Sequence, residues 1–139
     1  MHRFHPSRRH LLATAAALPV LNLAGCASSS AGPALGRVVV IGGGFGGATA
    51  ARYLRLWGGN IDVTLVERNP AFVSCPISNL VLGGFKQMGD ITQGYEGLRQ
   101  AGVKVLQGEA QTIDAAGRKV RLADGRELPY ARLVVAPGV

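Results

Sequence analysis

The sequence predicts an α/β fold, a parallel sheet with a small antiparallel excursion. Three observations carry this. A β-branched run, Arg37-Val38-Val39-Val40-Ile41, leads straight into five glycines between Gly42 and Gly47. A small-residue stretch from Ala48 reads as a helix, and a second apolar run, Ile61 to Val66, ends at the acid Glu67. Farther along, short strand-like segments alternate with turn residues. Strand, helix and strand in this order build a parallel pair, which needs a crossover connection between its members. The 139 residues suit one modest domain. At 47% hydrophobic and 17% charged, the chain is not disordered, collagen-like or a coiled coil.

Met1 to Gly25 reads as an export signal. It holds Arg3, Arg8 and Arg9 and no acid, followed by an apolar stretch from Leu11 to Gly25 broken at Pro19. That stretch is shorter than the roughly 20 residues that span a bilayer, so a transmembrane helix is the weaker reading. Ser7-Arg8-Arg9-His10-Leu11-Leu12 resembles the twin-arginine export motif, with Leu11 in place of the usual Phe and Ala13 in place of the common trailing Lys. The other reading is a general secretory signal whose arginines only supply positive charge. Leu23-Ala24-Gly25-Cys26 resembles a bacterial lipobox, in which cleavage precedes a cysteine that then takes a lipid. The other reading is an ordinary signal cut between Ala27 and Ala34. Residues 26–36, with Ser28-Ser29-Ser30-Ala31-Gly32-Pro33, are expected to form a flexible tether. The expected location is the periplasm, with a lipid anchor if Cys26 is retained.

The first strand is expected at 37–41, buried on both faces because its apolar run is continuous. Gly42, Gly44 and Gly47 then satisfy G-x-G-x-x-G. The helix is expected from Ala48 to about Leu56, stopped by Gly58-Gly59, and the second strand runs from Ile61 to Val66. Glu67 lies 20 positions beyond Gly47. Strand before, helix after and acid beyond are the context that makes this fingerprint a Rossmann-like dinucleotide site. Gly42 permits the tight turn, Gly44 lets backbone approach a pyrophosphate, and Gly47 lets the helix pack closely on the strand. The helix N-terminus offers N–H groups to the phosphates. Glu67 can accept hydrogen bonds from both hydroxyls of an adenosine ribose and would repel a 2′-phosphate, which argues against NADP. The fingerprint does not decide between FAD and NAD.

Composition excludes several alternatives. The net charge is +7, and outside the leader the excess is thin and unclustered, so no nucleic-acid interface is expected. All three histidines, His2, His5 and His10, fall in the leader. Ser-His-Asp catalysis, His-ligated zinc and His-ligated haem are therefore not expected. Two cysteines, Cys26 and Cys75, are too few for a disulfide scaffold or a four-thiolate metal site.

The segments VVVIGGGFGGATAARYLRL, IDVTLVERN, VSCPISNLVLGG, GYEGLRQAGVKVL and YARLVVAPGV together resemble the N-terminal part of the flavoprotein subunit of flavocytochrome c sulfide dehydrogenases. Sulfide:quinone reductases and type II NADH dehydrogenases are cousins in the same superfamily of flavoproteins with two dinucleotide-binding domains. The resemblance covers residues 37–139 and implies a Rossmann-like FAD-binding domain, of which the chain holds the first lobe. It adds Phe45, Gly46 and Arg68 to Gly42, Gly44, Gly47 and Glu67 as cofactor-binding positions.

Cys75, eight residues past Glu67, carries the specific part of the resemblance. The family cysteine at this place forms a thioether to the 8α-methyl of FAD, and Cys75 with Ser78-Asn79 matches it. A thiolate is a soft nucleophile suited to that carbon. Pro76 stands where the family has an aromatic residue, which puts the loop geometry in question. A buried inert thiol is the alternative for Cys75.

The rest of the chain follows the same scheme. Val103 to Leu106 reads as a third strand. Gly108-Glu109-Ala110 resembles the stretch whose backbone meets the adenine, with Ala110 as the contact. Thr112 to Asp114, Lys119 to Leu122 and Glu127-Leu128 form the antiparallel excursion, with a turn at Ala123-Asp124-Gly125-Arg126. Leu133 to Gly138 resembles the family strand ending in Ala-Thr-Gly, here Ala136-Pro137-Gly138, a further cofactor contact.

The resemblance implies an FAD-dependent oxidoreductase that oxidises sulfide and passes electrons to a separate cytochrome c subunit. It also implies that these residues hold no catalytic group or metal and are inactive alone. The alternatives are another two-domain flavin reductase of NADH or quinone type, or a non-catalytic exported lipoprotein.

Overall fold

The computed structural model describes residues 36–138, so the readings for the leader and most of the tether lie outside the described residues. In chain order the elements are β1 (Gly36–Ile41), α1 (Phe45–Trp57), β2 (Ile61–Glu67), β3 (Phe72–Val73), α2 (Ser78–Leu82), β4 (Thr92–Gln93), α3 (Glu96–Gln100), β5 (Lys104–Gln107), β6 (Ala110–Asp114), β7 (Lys119–Leu122), β8 (Glu127–Pro129) and β9 (Arg132–Val135). Short 3-10 turns occupy Cys75–Ile77 and Met88–Ile91.

The parallel sheet has the order β5-β2-β1-β9. Its register sets Ile41 beside both Val66 and Val135, and Glu67 beside Gln107. The carboxyl ends of all four strands therefore finish along one edge. The three-stranded antiparallel sheet has the order β6-β7-β8, with a bulge between Ala110 and Thr112.

Alternation along β1 divides the core in two. Val38 and Val40 point to one face, where they meet Ala51 of α1, Val63 and Leu65 of β2, and Tyr95, Leu98 and Val103. Val39 points to the other face, where Val66, Val120 and Leu122 join it and the antiparallel sheet supplies the cover. Helices cover one side of the parallel sheet and β6-β7-β8 the other. Val39, Val40 and Leu65 have no exposed surface, and burying each such side chain stabilises by about 1.5–3 kcal/mol. The continuous apolar run of β1 is the sequence trace of this two-sided burial.

Helix α1 starts at Phe45, three residues before the Ala48 expected from sequence. The Ala48 N–H donates to the Gly44 carbonyl at 2.9 Å, closing the first turn through the glycines. Gly47 is buried in that turn because the helix lies directly on the strand end. A Cβ at position 47 would overlap the Gly42 carbonyl oxygen, a backbone atom that cannot swing away. At the far end, Gly58 donates to the Leu54 carbonyl at 3.0 Å and Gly59 takes a positive φ of 68°, so the expected stop is where the helix ends.

Other bounds shift modestly. The third parallel strand begins at Lys104 rather than Val103, whose side chain is buried under the helices. The antiparallel excursion forms as expected, and Gly125 turns at φ 85°. Its first strand starts at Ala110, two residues early, through the bulge. The turn joining β6 to β7 has no expected signal. Arg118 adopts a positive φ of 50°, and the Asp114 side chain accepts the Gly117 N–H at 2.7 Å. The elements β3, β4, α2 and α3 were not expected, being too short to show a period.

Gly46 and Gly47 sit side by side but face different surroundings. At 46 an added Cβ would lie 3.9 Å from the Ala136 Cβ, an ordinary contact. Gly46→Ala is expected to leave stability unchanged or raise it by up to about 1 kcal/mol, the helix-propensity gain. Gly47→Ala is expected to lose about 1–3 kcal/mol despite the same gain, because overpacking against backbone outweighs it. Thermal unfolding of the full-length protein distinguishes the pair; equal shifts would contradict the packing argument.

Candidate dinucleotide-binding site

The parallel register assembles the site. Gly42 follows β1, Glu67 ends β2, Gly108 follows β5 and Ala136 follows β9, all on the carboxyl edge of the sheet. Ligands of open α/β sheets bind in the crevice outside that edge. Backbone bonds tie the four positions together: Gly42 N–H to Val66 O at 2.8 Å, Gly108 N–H to Glu67 O at 2.9 Å, and Ala136 N–H to Ile41 O at 2.8 Å. Gly42 has φ 97°, and a Cβ there would overlap the Ala136 carbonyl oxygen. The tight turn at this glycine is thus enforced twice, by conformation and by its neighbour.

Gly44 is the N-cap of α1, with no side chain capping the first turn and no acid within it. The first-turn N–H groups are the kind that attract an anion. A Cβ at 44 would meet only Phe72 Cε2, at 3.6 Å. The packing of the protein therefore does not require glycine at this position.

Glu67 is already engaged. Its Oε2 accepts the Gly43 N–H at 2.7 Å; its Oε1 accepts the Asn69 N–H at 2.9 Å and the Asn69 Nδ2 at 3.1 Å. The carboxylate spans the ends of β1 and β2 rather than extending freely into solvent. A carboxylate offers about four acceptor sites, so these three bonds leave room for one ribose hydroxyl while Asn69 stays in place, instead of the two expected from sequence.

Sequence reasoning missed Tyr95. It is 4% exposed, and its hydroxyl donates to the Gly43 carbonyl at 3.2 Å across 52 positions of sequence. Burial raises its pKa above the ordinary tyrosine value, and the neighbouring Glu67 charge adds to the rise, so the hydroxyl stays a donor through the physiological range. A Cβ at Gly43 would overlap this hydroxyl, which explains the middle glycine that the fingerprint leaves open. The Gly43–Gly44 peptide is trans; with its carbonyl held by Tyr95, the Gly44 N–H points the opposite way. No periodicity marks Tyr95. Its only sequence signal is an aromatic residue just ahead of a short helix.

The remaining expected residues are placed as follows. Phe45 opens α1 and meets Phe72 edge to face, ring centres 4.8 Å apart. Gly46 is exposed in the first turn, and exposed Arg68 accepts a bond from Gln107 Nε2 at 3.4 Å through its carbonyl. Ala110, half-buried, opens β6 and packs on the second core. Pro137 and Gly138 are exposed beyond β9, Gly138 with φ 83°.

Cys75 is exposed and free and opens the 3-10 turn that follows Ser74. It is not the buried inert thiol that was its alternative. A cavity of about 320 Å³ lies beside the glycine loop, walled by Gly43, Gly44, Phe72, Tyr95 and Leu98, with Ser74 and Ile77 on the cysteine side. Cys75 itself is not part of that lining. The Ser74 N–H donates to the Ile91 carbonyl at 2.8 Å, which anchors the cysteine-bearing segment beside this cavity.

The sequence profile of the pyridine nucleotide-disulphide oxidoreductase family matches residues 36–139. The chain is 64% identical over 45 residues to the sulfide dehydrogenase (flavocytochrome c) flavoprotein chain of Chlorobaculum thiosulfatiphilum, covering 32% of this chain and 94% of that sequence. It is 36% identical over 107 residues to the type II NADH:quinone oxidoreductase NdhA of Mycobacterium tuberculosis, covering 73% of this chain and 22% of that protein. Among solved structures, the sulfide:quinone oxidoreductase of Aquifex aeolicus superposes with a TM-score of 0.66 at 31% identity, over 73% of this chain and 24% of that one. The chain thus spans roughly a quarter of the length of these longer relatives. The glycine loop, the acid closing β2 and the matched profile together make the chain a member of the pyridine nucleotide-disulphide oxidoreductase family.

Proposed function

We propose that this chain is the FAD-binding lobe of an exported flavoprotein that oxidises sulfide and delivers electrons to a cytochrome c partner. FAD is the cofactor this lobe binds. The observation that carries the substrate assignment is the 64% identity to a sulfide dehydrogenase flavoprotein chain; similarity to a sulfide:quinone oxidoreductase supports it.

The residues fit the cofactor. Glu67 accepts a ribose hydroxyl, and its charge disfavours a 2′-phosphate. Open backbone at Gly44, with the uncapped first turn of α1, receives the pyrophosphate. Ala110 meets the adenine, while Phe45, Gly46, Arg68 and Ala136-Pro137-Gly138 line its course. When bound, the flavin supplies two-electron redox chemistry that no side chain can. Cys75, exposed on the segment beside the cavity, is the residue that tethers it covalently. The chain's own part is to bind, orient and retain the cofactor. Export through the twin-arginine route, with Arg8 and Arg9 as the address, moves a folded, loaded protein, and a lipid on Cys26 anchors it at the membrane.

A second reading has its own support. Type II NADH:quinone oxidoreductases match more of the chain, at 36% identity over 107 residues. In that reading NADH reduces the flavin and Cys75 is incidental.

Three outcomes are expected of the full-length protein. Acid precipitation should leave yellow flavin in the pellet, and Cys75→Ser should release it to the supernatant; release from the unaltered protein refutes the tether. Sulfide, and not NADH, should bleach the flavin spectrum; the reverse preference selects the second reading. In the Cys75→Ser background, Glu67→Gln should weaken FAD binding about tenfold or more, through loss of a charge-assisted hydrogen bond. Unchanged affinity by flavin fluorescence titration would remove Glu67 from the site.

A further inference from the structure

Four consecutive peptide units lead from β1 into α1, and each is held by a different bond. The Ile41–Gly42 unit is held by the Gly42 N–H on Val66 O at 2.8 Å, and the Gly42–Gly43 unit by the Gly43 N–H on Glu67 Oε2 at 2.7 Å. The Gly44–Phe45 unit belongs to the first turn of α1, where the Gly44 carbonyl accepts the Ala48 N–H at 2.9 Å. Between them lies the Gly43–Gly44 unit. Its carbonyl accepts the Tyr95 hydroxyl at 3.2 Å, while its N–H, that of Gly44, meets no acceptor among the described residues. A planar peptide between two fixed neighbours can still turn about the line joining its Cα atoms, through opposite changes in ψ of one residue and φ of the next. Side chains ordinarily oppose that turn, but both residues here are glycine and tolerate the resulting angles. The bond that opposes it comes from Tyr95, which is 4% exposed and packed in the core with Val40, Leu65, Leu98 and Val103.

We propose that Tyr95 is a positioning residue for the pyrophosphate: by holding the Gly43 carbonyl, its hydroxyl aims the Gly44 N–H, on the opposite side of the same peptide plane, at the phosphate oxygens. The inference rests on the reading of Gly44 and the first turn of α1 as the pyrophosphate site, and deepens it. Without the hydroxyl, the Gly43 carbonyl loses its donor and the Gly43–Gly44 peptide is free to turn over. Turned, it presents a carbonyl oxygen where it had presented a donor, and an oxygen repels the anion that the N–H attracts. The bond from Gly43 N–H to Glu67 belongs to the preceding peptide and stays in place. Contacts to ribose and adenine are therefore kept, and the loss falls on the part of the affinity that the diphosphate supplies.

The test compares ADP with adenosine, which differ only in the diphosphate. Affinities are measured by calorimetry at fixed ionic strength on full-length apoprotein carrying Cys75→Ser. The parent should prefer ADP by about tenfold or more, the worth of at least one hydrogen bond to a charged group. Adding Tyr95→Phe, which retains the ring, should lower that preference by about threefold or more while adenosine binds as before. A purely structural role would weaken both ligands equally and keep the ratio, and that result overturns the proposal while leaving the pyrophosphate reading intact. A parent that binds both ligands equally overturns the proposal and that reading together. Should Tyr95→Phe fail to fold, 4-fluorophenylalanine at position 95 fills the hydroxyl's space without a donor, and its ratio is read in the same way. Replacing Tyr95 with 4-aminophenylalanine keeps a donor at the same place and should keep the ratio near that of the parent; a lost ratio in this folded variant also refutes the role.

Discussion

The 2.7 Å bond between the Gly43 N–H and the Glu67 carboxylate joins the two strand ends on which the nucleotide site depends. Without it, the β1–β2 register and the Gly42 N–H on Val66 O would still set the spacing of the two strand ends, but the carboxylate itself would not be tied to the triple-glycine turn. With it, the glycine loop and the acid proposed to meet phosphate and ribose form one unit. The parallel register makes the bond possible, since Ile41 beside Val66 brings the residues that follow each strand to the same edge.

Close approach is the companion constraint. Helix α1 begins directly over the turn, with Gly47 against the Gly42 carbonyl, and that turn is pressed against Ala136 beyond β9. Three chain segments cross within backbone contact, and glycine at 42 and 47 is what allows it. Side-chain volume has been moved to the periphery: Phe45 and Phe72 pack edge to face, and Tyr95 fills the space below Gly43. The two-sided core around β1 holds these parts at fixed depth, helices on one face and the antiparallel sheet on the other.

Much of this was legible beforehand. Val38 to Ile41, the glycine fingerprint, the stop at Gly58-Gly59 and the acid at 67 each occupy the element expected of them, because each is written in local terms: side-chain periodicity, backbone freedom, distance along the chain. The antiparallel excursion was legible for the same reason, its Asp124-Gly125 turn included. Helix α1 beginning at Phe45 was not, since glycine's poor intrinsic propensity hid a requirement set by packing. Nor were β3 and β4, whose two-residue pairing of Phe72 with Gln93 and Val73 with Thr92 is shorter than any period.

The sequence alone determined the strand–turn–helix–strand unit and the residue types at its glycine turn and at the acid ending β2, since these follow from which residues tolerate a tight turn or a buried strand and which can accept a hydrogen bond. Only the tertiary structure decided how those groups are held. Tyr95 meets Gly43 across 52 positions, and Glu67 divides its oxygens between Gly43 and Asn69. Such bonds depend on where the folded sheet and helices deliver distant backbone atoms, and no local pattern of residue types records that.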